Sequence, residues 1–171
     1  MPRLWASAFV ERLLGDSRGV EAVRGKVLSL GLEYGMMTPF TSFLAGAQSV
    51  HTVDLNPHLK ADLVRSCAAS LADHVDTIAT MSGVAVEEVA RRQRQLVERL
   101  AGRIDLSHAT SGVVRYDAPT DATRVPIGSN ALDVVFSNSV LEHVPPPLVD
   151  RLYAEAMRIL RPGGLMFHSV N

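Results

Sequence analysis

The sequence contains little cysteine and little lysine, and it has no long apolar run. Cys67 is the only cysteine among 171 residues, which excludes an intrachain disulfide and a zinc site built from clustered thiolates. No segment approaches the roughly 20 consecutive apolar residues of a membrane-spanning helix, and the start of the chain lacks the apolar core of a signal peptide. We therefore expect a cytoplasmic protein with no membrane partner and no metal.

The charge balance is nearly neutral. Lysine occurs only at Lys26 and Lys60, so almost all of the 17 basic residues are arginine, and the formal net charge is -1. We interpret the shortage of lysine as compositional bias, and this balance gives no electrostatic reason to expect a nucleic-acid partner. The length fits one domain, which we assign to residues 1–171.

Short apolar runs predict the strands of a buried sheet. Residues 132–136 read LDVVF with almost no polar interruption, which is typical of a parallel strand covered on both faces. Similar runs predict strands at residues 27–30, 49–54, 113–116 and from 165 onward. The small polar residues 137–139 follow the strand at 132–136, in the position where open α/β sheets gather ligand contacts.

Helical spacing of apolar residues separates these runs. It predicts helices at residues 3–14, 20–24 and 36–47, and a further helix with Pro147 at its first position and Pro162 at its end. This alternation indicates an α/β, Rossmann-like three-layer sandwich, a mostly parallel sheet with helices on both faces. The leading helices, within residues 1–25, either pack beside the sheet or help to cover a ligand.

Residues 57–111 form an interval longer than one crossover needs, and we interpret it as a helical insert between strands 2 and 3. Its last helical pattern carries acids and arginines within helical reach of one another, such as Glu88 and Arg92. The insert is either a solvated helical layer or a lid or wall for a substrate.

Four ordered motifs indicate a family. They are Asp121-Ala122 ahead of Pro126, the strand at 132–135, the run from Ser137 to His143, and the sequence RPGG at 161–164. This half of the chain resembles class I S-adenosylmethionine-dependent methyltransferases with a methyltransferase type 11-like domain. The resemblance implies that S-adenosylmethionine is the cofactor, that Asp121 hydrogen-bonds its adenine amino group, and that Ala122 lines the ring. Taken alone, Asp121 also suits a turn or a cap.

The first strand leads into the glycine loop of this family. Gly31 and Gly35 match its pattern, whereas Ser29 stands for the expected acid and Glu33 for the central glycine. A Glu33 carboxylate about 4 Å from the cofactor carboxylate would cost about 4 kcal/mol at an effective dielectric of about 20. If Glu33 turns outward, or binds the cofactor ammonium, the cost is small. Both alternatives remain open.

The end of the second strand carries the expected ribose ligand. By resemblance, Asp54 presents two oxygens to the ribose hydroxyls, and the expected cofactor site also includes Leu55, Ser137 and Asn138. The alternative is that Asp54 caps a helix beginning at Pro57, although Asn56 is the better cap.

His143 is the candidate catalytic residue, as a base or a substrate contact. The resemblance also implies two further strands after residue 171, so we expect a chain truncated after its fifth strand. An unpaired hydrophobic edge favours pairing with another chain, which makes a homodimer through this edge or through the insert a candidate assembly.

The sequence leaves two main functions open. One is transfer of a methyl group from S-adenosylmethionine to an unidentified small-molecule acceptor. The other is a catalytically inactive domain of the same fold that serves as a binding or assembly module, which the departures at Ser29 and Glu33 favour. A nicotinamide-dependent oxidoreductase is disfavoured because the Gly-x-Gly-x-x-Gly loop is absent.

Overall fold

The computed structural model describes residues 17–31 and 36–170. Five strands form one sheet in which every neighbouring pair is parallel, in the order β3-β2-β1-β4-β5. The direction of winding reverses between β1 and β4, and ligands of open α/β sheets bind outside the carboxyl ends of the strands at such a point. The strands are β1 Lys26–Leu30, β2 Ser49–Val53, β3 Val114–Asp117, β4 Leu132–Asn138 and β5 Leu160–Ser169.

Helices cover both faces of this sheet, so the predicted Rossmann-like sandwich is confirmed. The helix expected at 3–14, the loop residues Glu33 and Gly35, and Asn171 lie outside the described residues. The described α-helices are α1 Ser17–Val23, α2 Met37–Leu44, α3 Ala61–Ser70, α4 Val75–Ser82, α5 Val86–Leu100, α6 Leu106–Ala109 and α7 Pro146–Ile159. Short 3₁₀ turns occur at Leu71–His74 and Leu141–His143.

Alternation of side chains along the strands divides the core into two clusters. On one face, Val27, Val134 and Phe136 pack with residues of α2 and the insert. On the other face, Leu28 and Val135 pack with residues of α7. The sheet is therefore buried on both sides, as its continuous apolar strands predicted.

The insert supplies the helical layer on the first of these faces. Its buried apolar residues Val64, Ile78, Val89 and Leu96 belong to the same cluster as Val27. Because this layer covers the sheet, most of the insert is scaffold. Its charged outer side on α5 carries the ion pair between Glu88 and Arg92.

One predicted helix boundary is wrong. We expected a helix from Pro57 with Asn56 as its cap, but α3 begins at Ala61 and its N-cap is Lys60. The hydroxyl of Tyr116 accepts the His58 N–H (3.0 Å) and donates to the Asn56 carbonyl (3.2 Å). These two bonds hold the segment in a loop until residue 60.

The predicted boundaries of α7 also shift. This helix begins at Pro146 rather than Pro147, and it ends at Ile159, directly before β5. Leu160 already pairs with Leu132, whereas Leu165 pairs with Val134, so residues 161–164 bulge from the ladder. Gly163 has a φ of +78°, which an L side chain rarely adopts, so the glycines of RPGG form this bulge rather than a turn before the strand.

Candidate functional site

A cavity of about 170 Å³ lies at the carboxyl ends of β1 and β2, next to the winding reversal. Gly31, Asp54, Leu55, Asp121 and Ala122 all line it. These five residues come from three separate loops, and each was a predicted cofactor contact. The structure therefore brings together the residues that the sequence predicted for the ribose and the adenine ring.

Backbone hydrogen bonds explain why the two carboxylates converge. The Asp54 N–H donates to the Asp117 carbonyl (3.2 Å), and the Thr120 N–H donates to the Asp54 carbonyl (2.8 Å). These bonds extend the β2–β3 ladder beyond both strands, so the loop that carries Asp121 starts beside Asp54. One oxygen of Asp54 accepts the Asn56 N–H at 3.2 Å, so this carboxylate organises its own loop and does not cap α3.

Asp121 has a structural role as well as a place in the cavity wall. Its Oδ1 accepts hydrogen bonds from the Thr123 N–H and the Thr123 hydroxyl, both at 2.8 Å. The bond from the Thr123 N–H is the main reason that the pKa of Asp121 is lowered, and Arg151 adds to the effect. Asp121 is therefore an ionised turn residue, as one interpretation held, and Oδ2 makes no hydrogen bond within the described part of the chain.

Gly31 allows the strand ends to approach closely. It has a φ of +75°, and its N–H donates to the Val53 carbonyl at 2.8 Å. A Cβ at this position would lie 2.7 Å from Cγ2 of Val140. Ser29, which stands where the family has an acid, is buried in β1 with 2 % of its surface exposed. Glu33 and Gly35 lie outside the described residues, so the two hypotheses about Glu33 remain predictions.

A second cavity of about 460 Å³ adjoins the first. The two cavities share Gly31, Asp54, Val140 and His143. The larger cavity is lined in addition by His58, Lys60, Leu63 and Ser139. Its volume lies within the range of small-molecule sites, roughly 300–1,000 Å³.

His143 lies at the junction of the two cavities, since it lines both. It closes the 3₁₀ turn after β4, and its N–H donates to the Val140 carbonyl at 3.0 Å. A side chain in this position can reach a group that bridges the two cavities. The predicted role of His143 therefore has a suitable location, although its chemistry stays a prediction.

Ser137 and Asn138 are not among the residues that line either cavity. The Ser137 side chain is fully buried, and its hydroxyl forms a 2.7 Å hydrogen bond with Nδ1 of His168 on β5. The chain then turns at Ser139, where φ is +51°. This turn directs Ser139 and Val140 to the cavities instead.

The residues present fit the adenosine part of S-adenosylmethionine. Asp54 offers a carboxylate for a vicinal diol at the end of a parallel strand. Gly31 leaves open the space that a Cβ would fill against Val140. Leu148 and Leu152 give the small cavity an apolar wall, which suits an aromatic base.

Three residues that line only the larger cavity were not identified as site residues from the sequence: His58, Lys60 and Leu63. Ser139 belongs to the small polar run 137–139, where we expected ligand contacts. Of the other three, a signal existed only for Lys60, one of two lysines in an arginine-rich chain, which we had interpreted as bias. Within residues 17–31 and 36–170, no cluster of three or more His, Cys, Asp and Glu residues is placed to hold a metal ion. In the same ranges, no helix has the length and apolarity to cross a bilayer.

Comparisons with known proteins agree with this fold. A family model described as "Methyltransferase domain" matches residues 28–168. The PH0226 protein from Pyrococcus horikoshii OT3 has a similar structure, with a TM-score of 0.51 and 18 % identity over 94 % of this chain and 49 % of its own. No curated protein sequence matches well enough to count as a relative.

Two further solved structures are similar at lower scores. An S-adenosylmethionine-dependent methyltransferase from Mesorhizobium loti gives a TM-score of 0.45 at 17 % identity, over 90 % of this chain and 54 % of its own. The YcgJ protein from Bacillus subtilis gives a TM-score of 0.46 at 16 % identity, over 91 % of this chain and 49 % of its own. The chain thus spans about half the length of the solved structures it matches. On the family match over residues 28–168, this chain belongs to the methyltransferase domain family and has the fold of S-adenosylmethionine-dependent methyltransferases.

Proposed function

We propose that this domain binds S-adenosylmethionine in the smaller cavity and transfers its methyl group to a small-molecule acceptor in the larger one. The observation that carries the proposal is that Asp54 and Asp121 line one cavity at the winding reversal and that this cavity shares His143 with a second, larger one. A cofactor site beside a separate space for an acceptor suits methyl transfer.

Each wall residue has a distinct task in holding the cofactor. Asp54 accepts hydrogen bonds from both ribose hydroxyls, which are a bidentate match for a carboxylate. Asp121 accepts from the adenine amino group through Oδ2, because Oδ1 is engaged with Thr123. Ala122 and Leu55 contact the apolar faces of the base and the sugar.

Held by Asp54, Asp121 and Gly31, S-adenosylmethionine would supply a methyl group that its sulfonium activates for attack by the lone pair of the acceptor. The chain contributes orientation, because in-line placement of two reactants lowers the entropy cost of the step. His143, at the junction, accepts the proton that a protic acceptor loses.

Titration calorimetry and thermal unfolding with S-adenosylmethionine and S-adenosylhomocysteine test the proposal. A ligand at 100 times its Kd stabilises the folded state by about 2.7 kcal/mol. Asp54→Ala is expected to weaken binding by about tenfold to a hundredfold, the value of a hydrogen bond to a charged group. Asp76→Ala is the control, since Asp76 is an exposed acid in the first turn of α4 that lines neither cavity.

Two results would count against this function. Absence of heat and of a thermal shift with both ligands at millimolar concentration would overturn it and leave the alternative of a binding or assembly module. Equal affinity of the Asp54→Ala and Asp76→Ala variants would show that the ligand binds elsewhere. Glu33→Gly is expected to leave binding equal or better, since it restores the glycine of the family pattern.

A further inference from the structure

The larger cavity differs from the smaller one in its charge. The larger cavity has four lining residues that the smaller one lacks: His58, Lys60, Leu63 and Ser139. Asp54, which the two cavities share, is the one carboxylate among the described residues of the larger wall. In the proposed function the ribose hydroxyls bind the Asp54 carboxylate, which keeps its negative charge. The other ionisable groups of that wall are Lys60, His58 and His143.

Lys60 differs from most basic side chains of this chain. Arg65, Arg92 and Arg158 donate to backbone carbonyls and pair with acids, so they join elements of the scaffold. The Lys60 ammonium, in contrast, makes no hydrogen bond or ion pair with any residue of the described ranges. The nearby Asp62 is fully exposed and pairs with Arg65 at 3.4 Å, not with Lys60. Lys60 thus brings to the cavity wall an ammonium group that no described residue binds directly.

The segment that carries these residues is fixed to the scaffold at both ends. Before it, the Tyr116 hydroxyl binds the His58 N–H and the Asn56 carbonyl. After it, Arg65 on α3 donates to the Leu100 carbonyl (2.9 Å) and the Gly102 carbonyl (2.7 Å). Lys60 therefore projects from a held backbone, which lowers the entropy cost of using it to bind a ligand.

Apolar surface lies beside this charge. Leu63 lines the cavity while 40 % of its surface is exposed, and Val140 also lines it. An exposed leucine beside a lysine that no described residue binds suits a ligand with an apolar body and one anionic group. It does not suit a cationic amine, which Lys60 would repel.

We propose that the methyl acceptor carries a carboxylate or phosphate, held by Lys60 beside an apolar body that packs on Leu63. This assignment rests on the proposed function, because it identifies the larger cavity as the acceptor site. Lys60 binds the acceptor away from the reacting atoms, so it is a specificity residue and not a catalytic one.

The two lysines allow a direct test. Reductive methylation with ¹³C-formaldehyde keeps the charge and gives one NMR signal for each lysine and one for the terminal amine, and Lys60→Met and Lys26→Met assign them. Lys26 is the matched control because it begins β1, at the end of the strand opposite to Gly31. The probes, added to protein saturated with S-adenosylhomocysteine, are benzoate, phenyl phosphate and neutral benzamide.

We expect benzoate or phenyl phosphate to shift the Lys60 signal saturably and to leave the Lys26 signal in place, with benzamide inactive. The tighter of the two anions identifies the acceptor group as carboxylate or phosphate. Lys60→Met is expected to weaken binding of that anion by about tenfold, and Lys26→Met to leave it unchanged. Equal binding of benzamide, equal movement of both lysine signals, or unchanged affinity in Lys60→Met would overturn the inference. Failure of S-adenosylhomocysteine to bind would instead overturn the proposed function.

Discussion

The backbone of Gly31 at the end of β1 lies directly against the side chain of Val140, which follows β4. A Cβ on residue 31 would be 2.7 Å from Cγ2 of Val140, closer than nonbonded carbons approach. Both residues line both cavities. The contact between these two strand ends therefore forms part of the wall of the candidate site.

We predict that Gly31→Ala destabilises the fold and impairs cofactor binding together. Gly163→Ala is a matched control, because Gly163 has nearly the same φ, +78° against +75°, but no group in residues 17–31 and 36–170 other than its chain neighbours lies within 4 Å of its added Cβ. Gly163→Ala is expected to lower the free energy of unfolding by about 1–2 kcal/mol, because alanine disfavours the left-handed conformation. Gly31→Ala should lower it by about 1–3 kcal/mol more, because its Cβ overpacks against Val140.

Urea unfolding and calorimetry with S-adenosylhomocysteine measure the two effects. The double variant Gly31→Ala/Val140→Ala is expected to recover the stability lost to the clash with Val140. It should not recover the stability lost to the left-handed backbone conformation at residue 31. Equal destabilisation by Gly31→Ala and Gly163→Ala, with equal affinity for the ligand, would refute the importance of the contact with Val140.

Glu155 anchors the loop that carries Asp121, and we predict that Glu155→Gln loosens it. The Glu155 side chain is 10 % exposed, accepts the Val125 N–H at 2.9 Å, and pairs with Arg158 at 2.7 Å. The hydrogen bond from Arg158 is the main reason that the pKa of Glu155 is lowered. Loss of the charge from this buried group should cost about 1–3 kcal/mol.

The pH dependence of this effect has a definite sign. The pKa of Glu155 is lower in the folded state than its unfolded value of about 4.5. The ionised carboxylate therefore stabilises the fold above pH 4.5, and this stabilisation is lost as the pH falls through the folded pKa. Glu88→Gln is the control: Glu88 also pairs with an arginine three residues later, but 32 % of its side chain is exposed. Arg91 lowers the pKa of Glu88 to about 2, yet exposed pairs contribute little to stability. If urea unfolding at pH 7 shows the same loss for both variants, the buried anchor is refuted.

His168 should make the fold sensitive to mild acid. Burial lowers the pKa of His168. Its Nδ1 forms a hydrogen bond with the Ser137 hydroxyl, and its buried Nε2 has no hydrogen-bond partner among the residues that the structure describes. The unfolded state therefore takes up a proton at a higher pH than the folded state. Stability is expected to fall as the pH drops below about 6.5, the unfolded value.

Urea midpoints between pH 7.5 and 5.0 test this prediction. His168→Gln should flatten the pH dependence, even though it costs stability at pH 7.5 through the lost contact with Tyr153, whose ring lies edge-on at 5.6 Å. His108→Gln, at an exposed residue of α6, should preserve the slope of the wild type. An unchanged slope in His168→Gln would show that other groups set the acid sensitivity.

The amino-acid pattern predicted the helices and strands well because these elements depend on residues that are close together in the sequence. The uninterrupted apolar run at 132–136 predicted a strand buried on both faces, and β4 packs into both core clusters. The ends of these elements were less predictable where a residue far away in the sequence forms a hydrogen bond with the boundary segment. Pro57 suggested a helix start, but the Tyr116 hydroxyl, 58 residues away from His58, holds that segment in a loop.

Taken by itself, the sequence determined the sheet, its helical layers and the acids that follow β2 and precede β4, since periodicity and turn chemistry act through neighbouring residues. Only the tertiary structure decided which polar side chains share a cavity. Asp54 and Asp121 meet because backbone bonds continue the β2–β3 ladder past both strands. Ser137, predicted beside them, is instead buried against His168. Such choices depend on strand register and on hydrogen bonds between residues far apart in the chain, and no local pattern encodes them.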